Sequence, residues 1–396
     1  MVSRLLASLK RLCIALVALV VAAAVWVPCL HLFFRKPLSD FYQEQAVSPK
    51  ARQLAARHLR LWTDPSLRQA ELKKMRGSNA EWDFMGRSFL VWSLVNMGLR
   101  EPDTKERYLP IIDEIIRETV AIEQQDGIYA FLMPYAKDRP YVIKPARSLF
   151  IDGEIALMMG ARRMLQEEPA YQQPMNERLQ QIERRWRINP VMAAESYPNE
   201  CWTFDHAVAL AAFRVADRLD GTDHSDLCRR WVANAKKTLI HAPTGLLVSS
   251  YMVDGSPLDG PEGSTIWMVV HCLQVVDEAF ARDQYQRARK ELGRITAGFG
   301  YGVEWPAAWQ GPRDIDSGAV IPVFEVSAGS SGMAFIAASS FRDWEFLRAL
   351  ATTVDMAGFP SRKDGQLKYC ASNQVGDAAI LYATVLGPLW ERVATP

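Results

Sequence analysis

The sequence predicts an all-α protein in which six helical hairpins close into a toroid, preceded by one N-terminal transmembrane helix. Six segments rich in Ala, Val, Leu, Met and Gly begin at an acidic residue, roughly 50 to 70 residues apart. A more charged, two-faced segment lies between most neighbouring pairs. Repeats of one nearly apolar and one amphipathic helix are typical of a layered helical array. Strands do not alternate with helices, which disfavours a parallel α/β fold.

The N-terminal segment predicts a membrane anchor. Residues 12–30 carry no charge and the apolar run continues to Phe34, which is long enough to cross a bilayer. A slight basic excess before it favours a cytoplasmic N-terminus and a single pass through the inner membrane, with the main domain in the periplasm. A cleaved signal peptide is the alternative, because residues 22–24 are alanines. We therefore divide the chain into a stub and anchor, residues 1–36, and a barrel domain, residues 37–396.

The helical pattern gives each predicted element its place. An amphipathic helix over residues 51–62 precedes the first hairpin. The predicted inner helices are residues 84–97, 153–165, 204–219, 264–279, 319–339 and 377–392. The predicted outer helices are residues 109–123, 175–186, 225–239, 284–295 and 344–356. Gly, Asn and Pro near their ends are the expected helix terminators. Residues 245–252 read as a hairpin within a loop, and residues 298–302 as a loop.

Composition and spacing exclude several classes of partner. A formal net charge of +1 lacks the basic footprint of a nucleic-acid-binding protein. The six cysteines and six histidines show no zinc-site spacing, so we predict no metal and no cofactor. A calcium site made by clustered carboxylates stays open as an alternative.

The acidic helix starts are the candidate reaction site. An aspartate there often caps free backbone N–H groups, which is the simpler explanation for Asp83. That explanation weakens where functional groups cluster, as in Asp152 with Glu154, and Asp205 with His206. In a closed ring these starts would meet at one rim. A carboxyl against an apolar wall becomes a general acid, and a second, ionised carboxylate serves as base or stabilises a cation.

Aromatic residues accompany several of these starts. Trp202, Trp305 and Trp309 lie close to acidic residues in the sequence, where they would wall a cleft for an apolar, ring-shaped or cationic ligand. Ordinary core packing is the alternative for each of them. The candidate substrate-binding residues are Asp83, Asp152, Trp202, His206, Glu262, Trp305 and Trp309.

Four segments resemble the linalool dehydratase/isomerase family. They are residues 199–209 (NECWTFDHAVA), 217–223 (DRLDGTD), 153–160 (GEIALMMG) and 244–251 (TGLLVSSY). The resemblance implies an (α/α)6 barrel, which agrees with the six hairpins. It also implies cofactor-free dehydration and isomerisation of a terpene alcohol in the bacterial periplasm, by a homo-oligomer.

The family's reactive residues correspond only in part. Tyr251 matches the family's tyrosine, whereas the histidine position is occupied by Glu154. The two cysteine positions are occupied by Ser196 and Asp205, and the family's aspartate has a counterpart near Asp64. Thiol chemistry therefore does not carry over, and carboxylates take its place.

Three functional hypotheses follow. In the first, the protein is a membrane-anchored lyase or isomerase of an alcohol. Glu154 protonates the leaving hydroxyl, Asp205 takes a proton or stabilises a cation, and Tyr251 binds the oxygen. The candidate catalytic residues are Glu154, Asp205, Tyr251 and Asp316. In the second, the same barrel is a glycoside hydrolase or saccharide lyase. In the third, the acids only cap helices and the barrel is a non-catalytic binding scaffold.

Overall fold

The computed structural model describes residues 2–313 and 317–394, with side chains from residue 6 onward. Its helices are α1 Val2–Cys29, α2 Leu38–Phe41, α3 Pro49–Thr63, α4 Pro65–Ser78, α5 Ala80–Arg100, α6 Lys105–Asp126, α7 Leu149–Leu165, α8 Gln172–Ile188, α9 Thr203–Asp220, α10 Ser225–Thr238, α11 Gly263–Leu273, α12 Glu278–Glu291, α13 Ala328–Ser340, α14 Trp344–Ala357, α15 Gln374–Val385 and α16 Pro388–Ala394. Its strands are β1 Cys201–Trp202, β2 Ile240–His241, β3 Leu246–Leu247, β4 Ser250–Tyr251, β5 Pro257–Asp259, β6 Gly293–Thr296, β7 Phe299–Val303, β8 Val320–Ile321, β9 Val326–Ser327, β10 Pro360–Lys363 and β11 Gln366–Tyr369.

Six inner helices form a closed ring. Helices α5, α7, α9, α11, α13 and α15 each pack against the next, and α15 packs against α5. The predicted all-α toroid, an (α/α)6 barrel, is thereby confirmed. The outer helices differ from the inner ones in burial: every residue of α7 is buried, whereas α8 buries one stripe that includes Met175, Leu179 and Ile182. The difference follows from position, because an inner helix has protein on all sides.

The ring closes through the beginning and the end of the barrel domain. The amphipathic helix α3 packs against α15 and is the outer partner that the sixth hairpin lacked in the sequence. Lys50 at its start forms a buried ion pair of 2.7 Å with Asp355 of the fifth outer helix, α14. Segments more than three hundred residues apart are therefore joined. The division at residue 36 stays a prediction.

The structure corrects two predicted inner helices. The fifth begins at Ala328 instead of residue 319, because residues 320–327 form the antiparallel hairpin β8–β9, where β-branched residues favour extended backbone. The sixth is divided into α15 and α16 by Gly387, whose φ of 125° no helix can contain, followed by Pro388.

Short antiparallel sheets fill the loops that lead from outer to inner helices. Strands β1, β4 and β5 form one sheet, and β6, β7, β9 and β8 form another in that order. Residues 299–302 of the predicted loop 298–302 are in fact part of β7, which pairs with β6. Residues 250 and 251, predicted as a loop excursion, lie in the first of these sheets. These sheets surround the rim at which the inner helices begin.

Two glycines of α7 allow a matched test of the inner packing. A Cβ on Gly160 would lie 2.7 Å from Val215 Cγ1, whereas a Cβ on Gly153 would lie no closer than 3.4 Å to Ala209. Both substitutions remove a helical glycine and so gain about 1 kcal/mol of helix propensity. We expect Gly160→Ala to be less stable than Gly153→Ala by about 1–3 kcal/mol, because only the first overpacks the wall. Denaturant unfolding of both variants measures this difference, and equal stabilities would contradict it.

Candidate functional site

A cavity of about 500 Å³ lies at the end of the barrel where the inner helices begin. Each of the six inner helices contributes residues from its first two turns to the lining. The lining residues of the inner helices are Glu81, Trp82, Met85, Phe150, Phe204, Asp205, Ser264, Thr265, Ala328, Gly329, Gly332, Met333, Val375, Gly376 and Ala379. The volume is within the range of small-molecule sites. The acidic starts that the structure describes, those of α5, α7, α9, α11 and α15, therefore lie at one rim, and of the predicted acids among them only Asp205 lines the cavity.

Asp205 is a buried carboxyl that lines this cavity. It lies in the first turn of α9, yet α9 has no side-chain cap, so the carboxyl does not serve as one. Ser196 forms a hydrogen bond with it. Burial raises the pKa of Asp205 well above its usual range, and the nearby Glu154 and Glu200 raise it further. Burial therefore favours the protonated form of Asp205, which is the form that can donate a proton to a bound molecule.

Glu154 is a second buried carboxyl, close to Asp205 but outside the cavity lining. Burial raises the pKa of Glu154 to about 8, against which Ser88 supplies one hydrogen bond. Among the described residues, no group forms a hydrogen bond with its Oε2 atom. The charge of Glu154 also raises the pKa of Tyr382 on α15. The sequence placed Glu154 and Asp205 in one cavity, and the structure makes them electrostatic neighbours with only Asp205 on the wall.

Glu81 and Tyr197 form a polar pair on the cavity wall that the sequence analysis missed. The Tyr197 hydroxyl donates to Glu81 Oε1 and accepts from the backbone N–H of Met133 at 2.9 Å. Burial, with the charge of Glu81 adding to it, raises the pKa of Tyr197, so the phenol keeps its proton. The residues are 116 positions apart. The one feature of the sequence near Glu81 that pointed to this site was the acidic helix start, of which the sequence analysis named Asp83, two residues later, as the candidate.

Aromatic and apolar side chains form most of the remaining wall. Trp82, Phe150 and Phe204 lie on three successive inner helices, and Trp202 precedes α9. Of the predicted tryptophans, only Trp202 reaches the cavity; its Nε1 donates to Glu200 Oε1 at 2.6 Å. Ordered aromatic faces of this kind suit an apolar or cationic molecule.

Two predicted acids are neutralised away from the cavity. Asp83 is buried and paired with Arg87 at 2.8 Å. Asp152 is buried and paired with Arg147 and, at 2.9 Å, with Arg178. Neither lines the cavity. Each is held by guanidinium groups as part of the packing, so we assign neither to substrate binding.

His206 and Tyr251 form a buried network beneath α9. The His206 ring lies between Trp186 and Trp231, with centroids 5.7 Å away on each side. Its Nδ1 bonds to the Trp202 carbonyl at 2.7 Å, and its Nε2 accepts from the Tyr251 hydroxyl at 3.1 Å. Burial lowers the pKa of His206 to about 4, so the ring is neutral. This network holds the segment that carries Trp202 and does not reach the cavity.

The other predicted site residues lie elsewhere. Glu262 is the N-terminal flanking residue of α11, and Trp305 is buried; neither lines the cavity. Trp309 donates to the Pro312 carbonyl at 2.8 Å and packs on His241. Asp316 lies outside the described residues. Within the described residues, no three His, Cys, Asp or Glu side chains could together hold a metal ion.

Comparison with known proteins identifies the family. A family model described as linalool dehydratase/isomerase matches residues 155–375, which is more than half of the chain. The chain belongs to the linalool dehydratase/isomerase family. No curated protein is similar enough in sequence to match it.

Solved structures show the same barrel with little sequence identity. The GH76A α-1,6-mannanase from Salegentibacter sp. HEL1_6 is 12% identical, with a TM-score of 0.50 over 76% of this chain and 88% of that one. The unsaturated glucuronyl hydrolase from Bacillus sp. GL1 is 12% identical, with a TM-score of 0.51 over 85% of this chain and 94% of that one. At such identity the likeness concerns the fold alone.

The family resemblance can now be followed position by position. Ser196 and Asp205, at the family's cysteine positions, form a hydrogen bond with each other, and only Asp205 lines the cavity. Tyr251, at the tyrosine position, is turned to His206 instead. Asp64 caps α4 by accepting from the Leu67 N–H at 3.0 Å. Of these family positions, only that of Asp205 lines the cavity.

The raised pKa of Glu154 predicts a pH-dependent stability. Its pKa is about 8 in the folded protein and 4.5 when unfolded, so its contribution is present below 4.5 and is lost as the pH rises through 8. Between pH 5 and 8 we expect the unfolding free energy of the wild type to fall by about 3–4 kcal/mol relative to Glu154→Gln. Denaturant titrations of both proteins at the two pH values measure this. A constant difference between them would show that Glu154 does not titrate in this range.

Proposed function

We propose that this protein is a membrane-anchored, cofactor-independent lyase or isomerase that acts on a small alcohol through carboxylate acid–base catalysis. The observation that carries the proposal is Asp205, a buried carboxyl without a basic partner on the wall of a largely apolar cavity, where burial favours its protonated form. Membership of the linalool dehydratase/isomerase family supports the reaction type. The finding that each inner helix contributes to this one cavity supports its use as a binding site.

The proposed reaction begins with proton transfer. Asp205 gives its proton to the hydroxyl oxygen of the substrate, the C–O bond breaks, and water leaves with the bonding electrons. The positive charge left on the carbon skeleton lies among the faces of Trp82, Phe150 and Trp202. The Glu81 carboxyl, which accepts a hydrogen bond from Tyr197, adds a negative partner for that charge.

The Asp205 carboxylate then completes the cycle. It removes a proton from the carbon next to the cation, which gives an alkene and restores the acid. Return of water to a different carbon of an allylic cation, with loss of a proton to Asp205, gives the isomer instead. Glu154 serves as a positioning residue, because the charge that it gains as the pH rises through about 8 adds to burial in raising the pKa of Asp205. Asp205 thus takes both the acid role that the sequence suggested for Glu154 and the base role suggested for Asp205 itself, since only Asp205 lines the cavity.

The glycoside hydrolase alternative has support from the shared barrel and from two carboxyl groups, Glu81 and Asp205, on one wall. An inactive variant of the mannanase carries replacements of two aspartates that are adjacent in its sequence. This sequence contains no two adjacent aspartates. The difference favours the alcohol substrate, and mannotriose is the matching substrate with which to test the alternative.

We also propose that α1 crosses a membrane. Within the helical span Leu6–Phe33, the most apolar 18-residue stretch has a mean hydropathy of 2.7 and is not buried. A retained anchor would hold the barrel at a bilayer surface. Removal of α1 as a signal sequence is the alternative.

Replacing Asp205 tests the acid. We expect Asp205→Asn to lower turnover of allylic terpene alcohols by about 10²–10⁴-fold, since an amide cannot donate the proton. Asp377→Asn is the matched control, because Asp377 is also buried in the first turn of an inner helix, and burial raises its pKa to about 7, but it does not line the cavity. Product formation is measured by gas chromatography, with mannotriose assayed in parallel. Turnover of mannotriose alone, or equal losses in both variants, would contradict the proposal.

The pH profile tests the coupling between the two acids. Because the protonated form of Asp205 is the active one, kcat/KM should fall as the pH rises through the pKa of Asp205. Glu154→Gln removes the neighbouring charge that raises this pKa. The alkaline limb of the Glu154→Gln profile is therefore expected at lower pH than in the wild type. If the alkaline limb lies at the same pH in both proteins, Glu154 has no part in the mechanism.

A further inference from the structure

An exposed apolar tip stands on the hairpin β8–β9. Ile321, Val323 and Phe324 are 57%, 90% and 57% exposed. We name these three residues the apolar tip. Among the described residues beyond position 37, only eight large hydrophobic side chains are exposed, and the tip holds three of them within four consecutive positions. Scattered apolar residues on a surface are ordinary, whereas a cluster marks a contact surface.

The backbone of the tip adds a second observation. Val323 has a φ of 76°, a left-handed conformation that a β-branched residue rarely adopts. Glycine would meet the demands of this turn at lower cost. Valine at position 323 is therefore not explained by the stability of the barrel, which glycine would serve better. A strained, fully exposed apolar side chain is better explained by a contact made outside the chain.

The hairpin that carries the tip begins and ends at residues that line the cavity. Residues 317–319, directly before β8, and Ala328 and Gly329, directly after β9, all line the cavity. The Ala328 N–H donates to the Ala319 carbonyl at 3.1 Å, which fixes the base of the hairpin to the start of α13. Whatever binds the tip is thus held close to residues that line the cavity.

The same sheet also contacts the end of the membrane-anchor segment. The turn between β6 and β7 packs against His31, whose ring centroid lies 6.3 Å from that of Phe299. Gly298 is required in that turn, since a Cβ there would lie 2.3 Å from the His31 ring. Strands β6, β7, β9 and β8 follow one another across the sheet, so one sheet joins the anchor to the tip. The only charge within the tip's turn, Glu325, lies 3.9 Å from Arg313.

We propose that the apolar tip inserts into the bilayer to which α1 tethers the protein, and that this places the cavity mouth against the lipid, from which an apolar alcohol enters. The inference rests on the proposed anchor and substrate class. Tethering raises the effective concentration of the bilayer at the tip, so three apolar side chains suffice for binding. A second protein chain fits less well, because a stable interface needs about 20–30 residues on each side.

A fluorescence experiment on the full-length chain tests this inference. Cys13→Ser, Cys29→Ser and Cys370→Ser remove the thiols that are not buried and leave three buried ones. Single cysteines are then introduced as Val323→Cys in the tip, Val20→Cys in α1, or Asp226→Cys. Asp226 is 70% exposed in its side chain at the start of α10, the end of the barrel away from the cavity. Each is labelled with the nitrobenzoxadiazole (NBD) fluorophore and reconstituted into phosphatidylcholine vesicles, with or without nitroxide-labelled phosphatidylcholine.

We expect the labels at positions 323 and 20 to show blue-shifted emission that nitroxide lipid quenches, and the label at position 226 to show neither. Quenching at 20 without quenching at 323 overturns the inference and leaves the anchor intact. A blue shift at 323 that nitroxide lipid does not quench places the tip in protein, as in a second copy, and also overturns it. A third outcome is that neither label is quenched and that mass spectrometry finds a mature chain without α1. That outcome overturns both the anchor and the inference.

Discussion

Closure of six inner helices into a ring is the constraint on which the rest of the structure depends. Every inner helix begins at the same end, so positive helix ends and the polar residues near them are gathered around one cavity. Because the first turns of an inner helix are surrounded by protein, side chains there have no access to bulk water except through the cavity. A carboxyl placed one or two turns into an inner helix must therefore be paired, or remain protonated.

Both cases occur among the buried carboxyls of the inner helices: some are paired with arginines, and others are not. Asp83 and Asp152 are paired with arginines, so their charges are compensated where they lie. Asp205 and Glu154 have no arginine or lysine among the groups that shift their pKa values, and burial raises both. A buried carboxyl without a compensating charge lowers stability, and such groups concentrate at reactive sites. Packing alone therefore does not explain why Glu154 on α7 and Asp205 on α9 are buried carboxyls.

The sequence was sufficient for the architecture because hairpin periodicity is a local property. Residues 153–165 and 204–219 were predicted as inner helices, and α7 and α9 cover them. It was not sufficient for the hairpin β8–β9, since Val320 and Ile321 fit an apolar helix as well as a strand. Among the acids, it could not separate Asp152 from Asp205. The guanidinium of Arg178 reaches Asp152 from a different helix, and only the three-dimensional packing reveals that.

Helix capping, the simplest explanation for acids at helix starts, can be judged residue by residue. Helix α5 is capped by Asn79, α7 by Ser148 and α15 by Asn373, each through its side-chain oxygen. The acids in these first turns are thus not needed as caps. In α9 no side chain caps the helix, although Asp205 lies two residues inside its start. If capping were the reason for an aspartate there, its oxygens would accept from the free N–H groups. Instead Asp205 meets Ser196 and the cavity, which is the arrangement expected of a group whose proton is used.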